Sequence, residues 1–339
     1  MGSAGIPRRG TVTEDGNEGP LVRSWMNLVV SYWRSLPDPG LEGFLLCCGG
    51  LVRGVDMRII ETVSEMQQQA DDWRRAGKRI GFVPTMGYFH EGHLMLMRKV
   101  RGEADMVVAS IFVNPAQFGP NEDLATYPRD LDRDLRLAGE VGVDVAFVPQ
   151  VGEMYPDGYQ TYVEVTKVTA PLCGRSRPLF FRGVATVVVK LFHIVKPHVA
   201  VFGEKDYQQL VTIRRMVKDL NLDIEILGHP IVREPDDLAM SSRNKYLTPE
   251  QRPLALRLSR ALKAARARVA LGERNGSVIL KEVKELLDAG GEVRIDYAEL
   301  RDPATMEEVG SMDGPSLLAL AVFVGTTRLI DNCILRPAA

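Results

Sequence analysis

From Met57 onward, apolar and polar positions alternate between two rhythms. Short apolar runs recur at 59–60, 79–83, 105–113, 144–148 and 199–202. They are long enough for buried parallel strands and too short for helices. Stretches with helical spacing lie between them. Thr62 or Ser64 can cap a helix running through Trp73, which Gly77 ends. Residues 94–100 contain neither Gly nor Pro, and further helices are expected over 131–140 and 185–195. This succession predicts an α/β fold, a Rossmann-like doubly wound parallel sheet with ligands at the carboxyl ends of its strands.

The pattern changes near residue 248. Thr248-Pro249-Glu250 predicts a helix start, with Thr at the cap and Pro in the first helical position. Leu254, Leu258, Leu262, Ala265 and Val269 then form one apolar stripe, and Gly272 closes it. A second helix over 277–287 and strands at 293–300, 317–324 and 327–335 complete a smaller C-terminal α+β domain. Residues 1–56 have neither rhythm. Residues 5–20 are polar and Gly-rich, which predicts disorder, and the apolar stretch 41–52 is too short to span a bilayer.

Composition narrows the class. With 339 residues, two domains are expected. A net charge of −2 provides no global basic field for nucleic acid. The four cysteines, Cys47, Cys48, Cys173 and Cys333, show no Cys-x-x-Cys spacing, so neither a zinc site nor a disulfide framework is indicated and a cytoplasmic setting is the default.

Candidate chemistry gathers after the predicted strands. Following 79–83 comes Pro84-Thr85-Met86-Gly87-Tyr88-Phe89-His90-Glu91-Gly92-His93. Gly87 allows a positive φ in a strand-to-helix turn. His90 and His93, three apart, share a face of the first helical turn, where free N–H groups and the helix dipole favour anions. The loop after 105–113 carries Gln117, whose amide both donates and accepts. Asp123, Asp132 and Asp134 further on could help hold a Mg²⁺-nucleotide, and the metal's protein ligands stay open. After 199–202, Gly203-Glu204-Lys205-Asp206 opens a helix with Asp206 as a possible cap and Gln209 four residues beyond Lys205. The segment 232–244 holds Met240-Ser241-Ser242-Arg243, hydroxyls and an Arg fork suited to phosphate, on a possible hinge.

The string 84–93 resembles the signature of the pantothenate synthetase (pantoate–β-alanine ligase) family, within the nucleotidyl transferases that carry a His-x-Gly-His type motif. The blocks 112–118, 181–186, 202–210 and 239–244 agree in order, so the resemblance runs from about Met57 to about Leu335. It implies condensation of pantoate with β-alanine by ATP and Mg²⁺ through a pantoyl-adenylate, with release of AMP and pyrophosphate and no organic prosthetic group. It also implies a homodimer with small-molecule substrates, and neither nucleic acid nor membrane as partner.

Residue by residue, the resemblance assigns ATP to Met86, Gly87, Tyr88, Phe89, His90, Glu91, Gly92 and His93, then to Gly203, Glu204, Lys205 and Asp206, and to Val232, Met240, Ser241, Ser242 and Arg243. His93 is similar to the family's general-acid histidine, and His90, Lys205, Ser242 and Arg243 join it around the reacting phosphates. Gln117 corresponds to a contact shared by pantoate and β-alanine, and Gln209 to a second pantoate contact. The expected division is 57–232 for a nucleotide- and pantoate-binding domain and 233–339 for a C-terminal lid. Tyr88-Phe89 replaces the family's usual Ala-Leu, and Pro235-Asp236-Asp237 its usual Ala-Asp-Gly. An adenylyltransferase that stops at the adenylate is disfavoured by the second domain and the two glutamines. An aminoacyl-tRNA synthetase is disfavoured by the missing basic surface. A binding module without chemistry would have little use for the histidine pair together with Lys205 and Arg243.

Overall fold

The computed structural model describes residues 57–120 and 122–337. The expected disordered extension over 1–56, with Cys47 and Cys48, lies outside the described residues.

Six strands form a parallel sheet: β1 (Arg58–Ile60), β2 (Ile80–Thr85), β3 (Met106–Ile111), β4 (Val145–Phe147), β5 (Val199–Gly203) and β6 (Glu225–His229), in the order β1-β4-β3-β2-β5-β6. Alternation along each strand sends side chains to two cores. Phe82, Val108, Ala200 and Phe202 face one core, with helices α1 (Val63–Arg75), α4 (Phe180–Val195) and α5 (Tyr207–Asp219). Val83, Val107, Ala109, Val199 and Val201 face the other, with α2 (Glu91–Arg101) and α3 (Leu131–Glu140). This is the doubly wound arrangement read from the sequence. Strand order reverses beside β2, whose neighbours are β3 and β5, so a crevice opens at the carboxyl ends of these strands.

A three-stranded antiparallel sheet, β7 (Val293–Arg301), β8 (Ser316–Val324) and β9 (Thr327–Leu335), forms the smaller second layer. Along β8, Leu318, Leu320 and Val322 pack with Leu258, Leu262, Ile279 and Val283 of α6 (Arg257–Ala270) and α7 (Gly276–Asp288). Leu317, Ala319 and Ala321 point the other way, onto Phe181 of α4 and Val211 of α5. The small sheet therefore roofs the larger one.

Several expected boundaries move. Thr248 does cap a turn, its Oγ1 accepting from the Gln251 N–H at 3.3 Å. That turn reaches only a four-residue helix, Arg252–Ala255, and the long helix begins at Arg257. The first bond of a helix begun at Pro249 does form, from the Arg252 N–H to the Thr248 carbonyl at 3.0 Å, but Pro253 lacks the N–H for the next one. Helix α4 starts at Phe180 rather than 185, because Gly183 is a packing position and not a breaker. Strand β6 was not expected from the sequence: its half-exposed Glu-Ile-Leu-Gly-His string has neither the apolar run nor the alternation of a typical strand.

Candidate active site

Between β2 and α2 the backbone enters the left-handed region twice, at Gly87 (φ 81°) and Tyr88 (φ 53°). A carboxylate holds this turn. Asp134, 1% exposed in the first turn of α3, accepts the N–H of Tyr88 at 2.6 Å and of Phe89 at 2.7 Å. Burial pushes the Asp134 carboxyl upward against the pull of those bonds. Asp134 is thus spent on the loop, and Asp123 on Arg243. Among the described residues no group of three or more His, Cys, Asp or Glu could hold a metal ion.

His90 occupies the N-cap position of α2, and its own N–H donates to His93 Nδ1 at 3.3 Å. With Nδ1 accepting, the proton of a neutral His93 sits on Nε2. The rings lie 4.1 Å apart between centroids, and Gly92 makes that possible: a Cβ there would stand 2.8 Å from the His90 ring. Burial, with Lys205 nearby, lowers His90 to about 4. Burial, His90 and Lys205 hold His93 well below its usual value. Both imidazoles are neutral at pH 7 in the free protein. The N–H groups of Tyr88, Phe89 and His90 are taken up internally. Among the described residues those of Glu91 and Gly92 meet no acceptor and face outward for a ligand.

The second wall follows β3. A 3₁₀ turn, Pro115–Gln117, presents Gln117, whose Oε1 accepts from Asn114 Nδ2 at 3.0 Å and whose Nε2 points at Met86 Sδ, 3.1 Å away. Asn114 is itself fixed: Nδ2 donates to the Gly183 carbonyl at 3.1 Å, and Oδ1 accepts from the Tyr155 hydroxyl at 2.8 Å. A Cβ on Gly183 would lie 2.2 Å from the Ala116 carbonyl oxygen, so α4 can approach this turn only through glycine.

The third wall follows β5. Glu204–Asp206 forms a 3₁₀ turn leading into α5, and Lys205 Nζ lies 3.1 Å from Asp206 Oδ2. Asp206 sits at the N-cap position of α5, yet its side chain makes no cap bond, contrary to the expectation. Asn332 of β9 donates to the carbonyls of Glu204 and Lys205, each at 2.9 Å, so the small sheet sets the height of Lys205. Gln208 turns inward and binds the 168–173 segment, which leaves its neighbour Gln209 on the cavity wall.

The fourth wall is the segment 232–246. Its hairpin turns through Asp237 at φ 75°, a conformation that glycine alone adopts without strain. Arg233 binds Asp331 through both terminal nitrogens, at 2.8 and 2.9 Å, and Lys263 reaches Asp237 at 2.8 Å. Ser241 Oγ caps the following turn by accepting the Arg243 N–H. Arg243 grips Asp123 through Nε at 3.1 Å and Nη2 at 2.9 Å, with Nη1 still without a partner among the described residues.

These walls enclose a cavity of about 300 Å³. It brings together Met86, His90, Gly92, His93, Gln117, Gly203, Lys205, Asp206, Gln209, Val232, Met240, Ser241, Ser242 and Arg243. Five residues expected at ATP stand off its lining. Gly87 and Phe89 lie behind the turn, Tyr88 faces a neighbouring cleft, Glu91 pairs with Arg98, and Glu204 packs on Gly228. The sequence did not point to Asn114, Arg177 or Arg328. Arg177 lines the cavity and donates to the Gln117 carbonyl at 3.1 Å, and Arg328 lines it while paired with Asp296. An arginine without a motif around it carries no signal in a single sequence.

A family model described as pantoate-beta-alanine ligase matches residues 58–334. The pantothenate synthetase of Syntrophus aciditrophicus is 60% identical over 276 residues, covering 81% of this chain and 96% of that protein. That of Geobacter sulfurreducens is 59% identical over 279 residues, covering 82% and 99%. Among solved structures, the pantothenate synthetase of Thermus thermophilus superposes with a TM-score of 0.79 at 46% identity, covering 83% of this chain and all of that one. The pantoate-beta-alanine ligase of Francisella tularensis, complexed with beta-gamma ATP and beta-alanine, does so at 0.67 and 33% identity, covering 82% and 97%.

Proposed function

We infer the course of the reaction from one premise: the chain belongs to the pantoate-beta-alanine ligase family. The enzyme condenses pantoate with β-alanine at the expense of ATP, through a pantoyl-adenylate. A pantoate carboxylate oxygen attacks the α-phosphorus. The bond from phosphorus to the bridging oxygen breaks, and its electron pair leaves with pyrophosphate. The neutral amine of β-alanine then attacks the activated carbonyl, the bond to AMP breaks, and the amine gives up a proton.

The observation that carries the assignment of roles is the convergence of two neutral imidazoles, Lys205 and the 241–243 hydroxyl–guanidinium group on one cavity that also holds both glutamines. Negative charge grows on the departing pyrophosphate, so donors belong there: His93 Nε2–H, His90, Lys205, Ser242 and Arg243. His93 serves as a preorganised hydrogen-bond donor. Gln117 holds the acyl group, shared with β-alanine, and Gln209 gives pantoate a second contact. The adenosine lies along Gly203, Val232 and Met240.

Mg²⁺ enters with the nucleotide as substrate and offsets phosphate charge. Asp134 and Asp123 are already engaged, and Asp206 on the cavity wall is itself paired with Lys205 at 3.1 Å, so it would meet the ion only beside that ammonium. That sparse donor set fits an ion held mainly by phosphate and water. The lid role of 233–339, a homodimeric assembly and a cytoplasmic setting belong to the same reading, supported by the family resemblance. Among the described residues no helix is long and apolar enough to cross a membrane.

The test is ATP–pyrophosphate exchange. It should require pantoate and proceed without β-alanine. Exchange that needed β-alanine would point to a concerted condensation and overturn the two-step course.

A further inference from the structure

Four buried side-chain polar atoms lack a hydrogen-bond partner among the described residues: His90 Nδ1, Ser110 Oγ, Arg133 Nη1 and Asn244 Oδ1. Buried polar atoms are almost always partnered. Three of these four belong to residues lining a single cleft, formed by Tyr88, His90, Arg133, Asn244 and Lys245 with Glu234 and Arg252 at its edge. The cleft is distinct from the main cavity yet shares His90, Ser241 and Ser242 with it as a common wall.

Its charge is one-sided. Glu234 is its only carboxylate among the described residues, and Arg252 and Asn244 already bind it. Arg133 and Lys245 form no ion pair among the described residues. Their cationic groups stand over the Tyr88 ring, at 5.5 and 4.2 Å from its centroid. The Tyr88 ring is thus a platform for two cations that have no carboxylate partner among the described residues.

We propose that this cleft receives the inorganic pyrophosphate expelled in the adenylation step. The inference rests on the ligase reading above. The two free cations and the His90 ring offer donors to a compact polyanion, and Asn244 Oδ1 suits a water of its hydration shell. The shared wall lets the anion leave past His90 and Ser242 while the acyl-adenylate stays on Gln117 and Gln209. An adenine or pantoyl group would bring apolar surface into a cleft lined mainly by polar and charged side chains.

Two measurements test this on the full-length protein, with Lys245→Gln, Arg133→Gln and the double variant. Lys245 is exposed, so its replacement does not threaten folding. In exchange assays the KM for pyrophosphate should rise about tenfold or more in the double variant, the cost of losing charge-assisted contacts. The KM for ATP should change less than about threefold, since an anion met only after bond cleavage adds nothing to ATP binding. Arg133→Lys should restore most of the loss. Calorimetric titration of the free protein with pyrophosphate should show the same loss of affinity, independently of turnover. Unchanged affinity for pyrophosphate would overturn the proposal, and so would equal rises for pyrophosphate and ATP. A wild-type protein that binds pyrophosphate but shows no pantoate-dependent exchange would sink the ligase reading and leave the cleft standing.

Discussion

A methyl group on Gly92 would press into the His90 ring, and this is why glycine must separate the two histidines. The close approach lets the His90 N–H reach His93 Nδ1 and so fix its tautomer, which leads to a prediction. His93→Ala should slow pantoyl-adenylate formation by about 10²-fold, the typical loss of one preorganised donor. His93→Gln, which can place an N–H near the Nε2 position, should lose much less. Given synthetic pantoyl-adenylate and β-alanine, both variants should perform closer to wild type, because pyrophosphate has already gone. Single-turnover kinetics of each half-reaction checks this, and equal losses in the two steps would assign His93 to the acyl-adenylate as a whole. The lowered imidazoles also make stability depend on pH. Between about 6.5 and 4 the unfolded chain binds a proton that folded His90 refuses, and His93, held well below its usual value, acts in the same direction. Unfolding free energy should therefore fall as pH drops through that window, by up to about 1.4 kcal/mol per pH unit for each titrating ring. Denaturant titrations from pH 7 to 5 should show this slope flattened in a His90→Gln/His93→Gln variant. The histidine pair was legible because spacing alone put both on one helical turn. Asp134 was legible only as an acid near a helix start, since its work depends on N–H groups 45 and 46 residues away.

Helix α4 meets the Gln117 turn through the glycine that the sequence carries inside an otherwise apolar segment. Gly183→Ala would force a methyl against the Ala116 carbonyl, 2.2 Å from its oxygen, and both partners are backbone. We expect a loss of about 1–3 kcal/mol, as for overpacking elsewhere. The KM for pantoate should rise further than the KM for ATP, because the shifted turn carries Gln117 and not Lys205. Thermal unfolding together with separate KM determinations checks both parts; a change in stability alone would mean that Gln117 moves independently of α4. The central strands and the C-terminal strands were readable because each buries at least one face. β6 escaped because an edge strand needs partners on one side only and can keep Glu225 and His229 partly in water. The Thr248 start was legible as a cap, and its failure to seed the long helix follows from a second proline five residues later.

At the scale of the whole molecule, a small antiparallel sheet buries one face on its own helices and the other on α4, α5 and the 168–173 segment of the larger layer. The unbroken apolar run 317–324 suits a strand buried on both faces, yet nothing in the string says what the second one covers. That depends on residues 168–181, far away in sequence. Within this roof one amide matters beyond packing: Asn332 spans the carbonyls of Glu204 and Lys205. Influence through such a link runs both ways. If β9 sets the position of Lys205, then a triphosphate gripped by Lys205 must hold β9 in return. Amide hydrogens of β9 should therefore exchange with deuterium more slowly once ATP is bound, although the reacting phosphates touch none of them. In an Asn332→Ala variant that protection should fade in β9 and persist in α2, so isotope exchange would trace how far the nucleotide's grip extends into the roof.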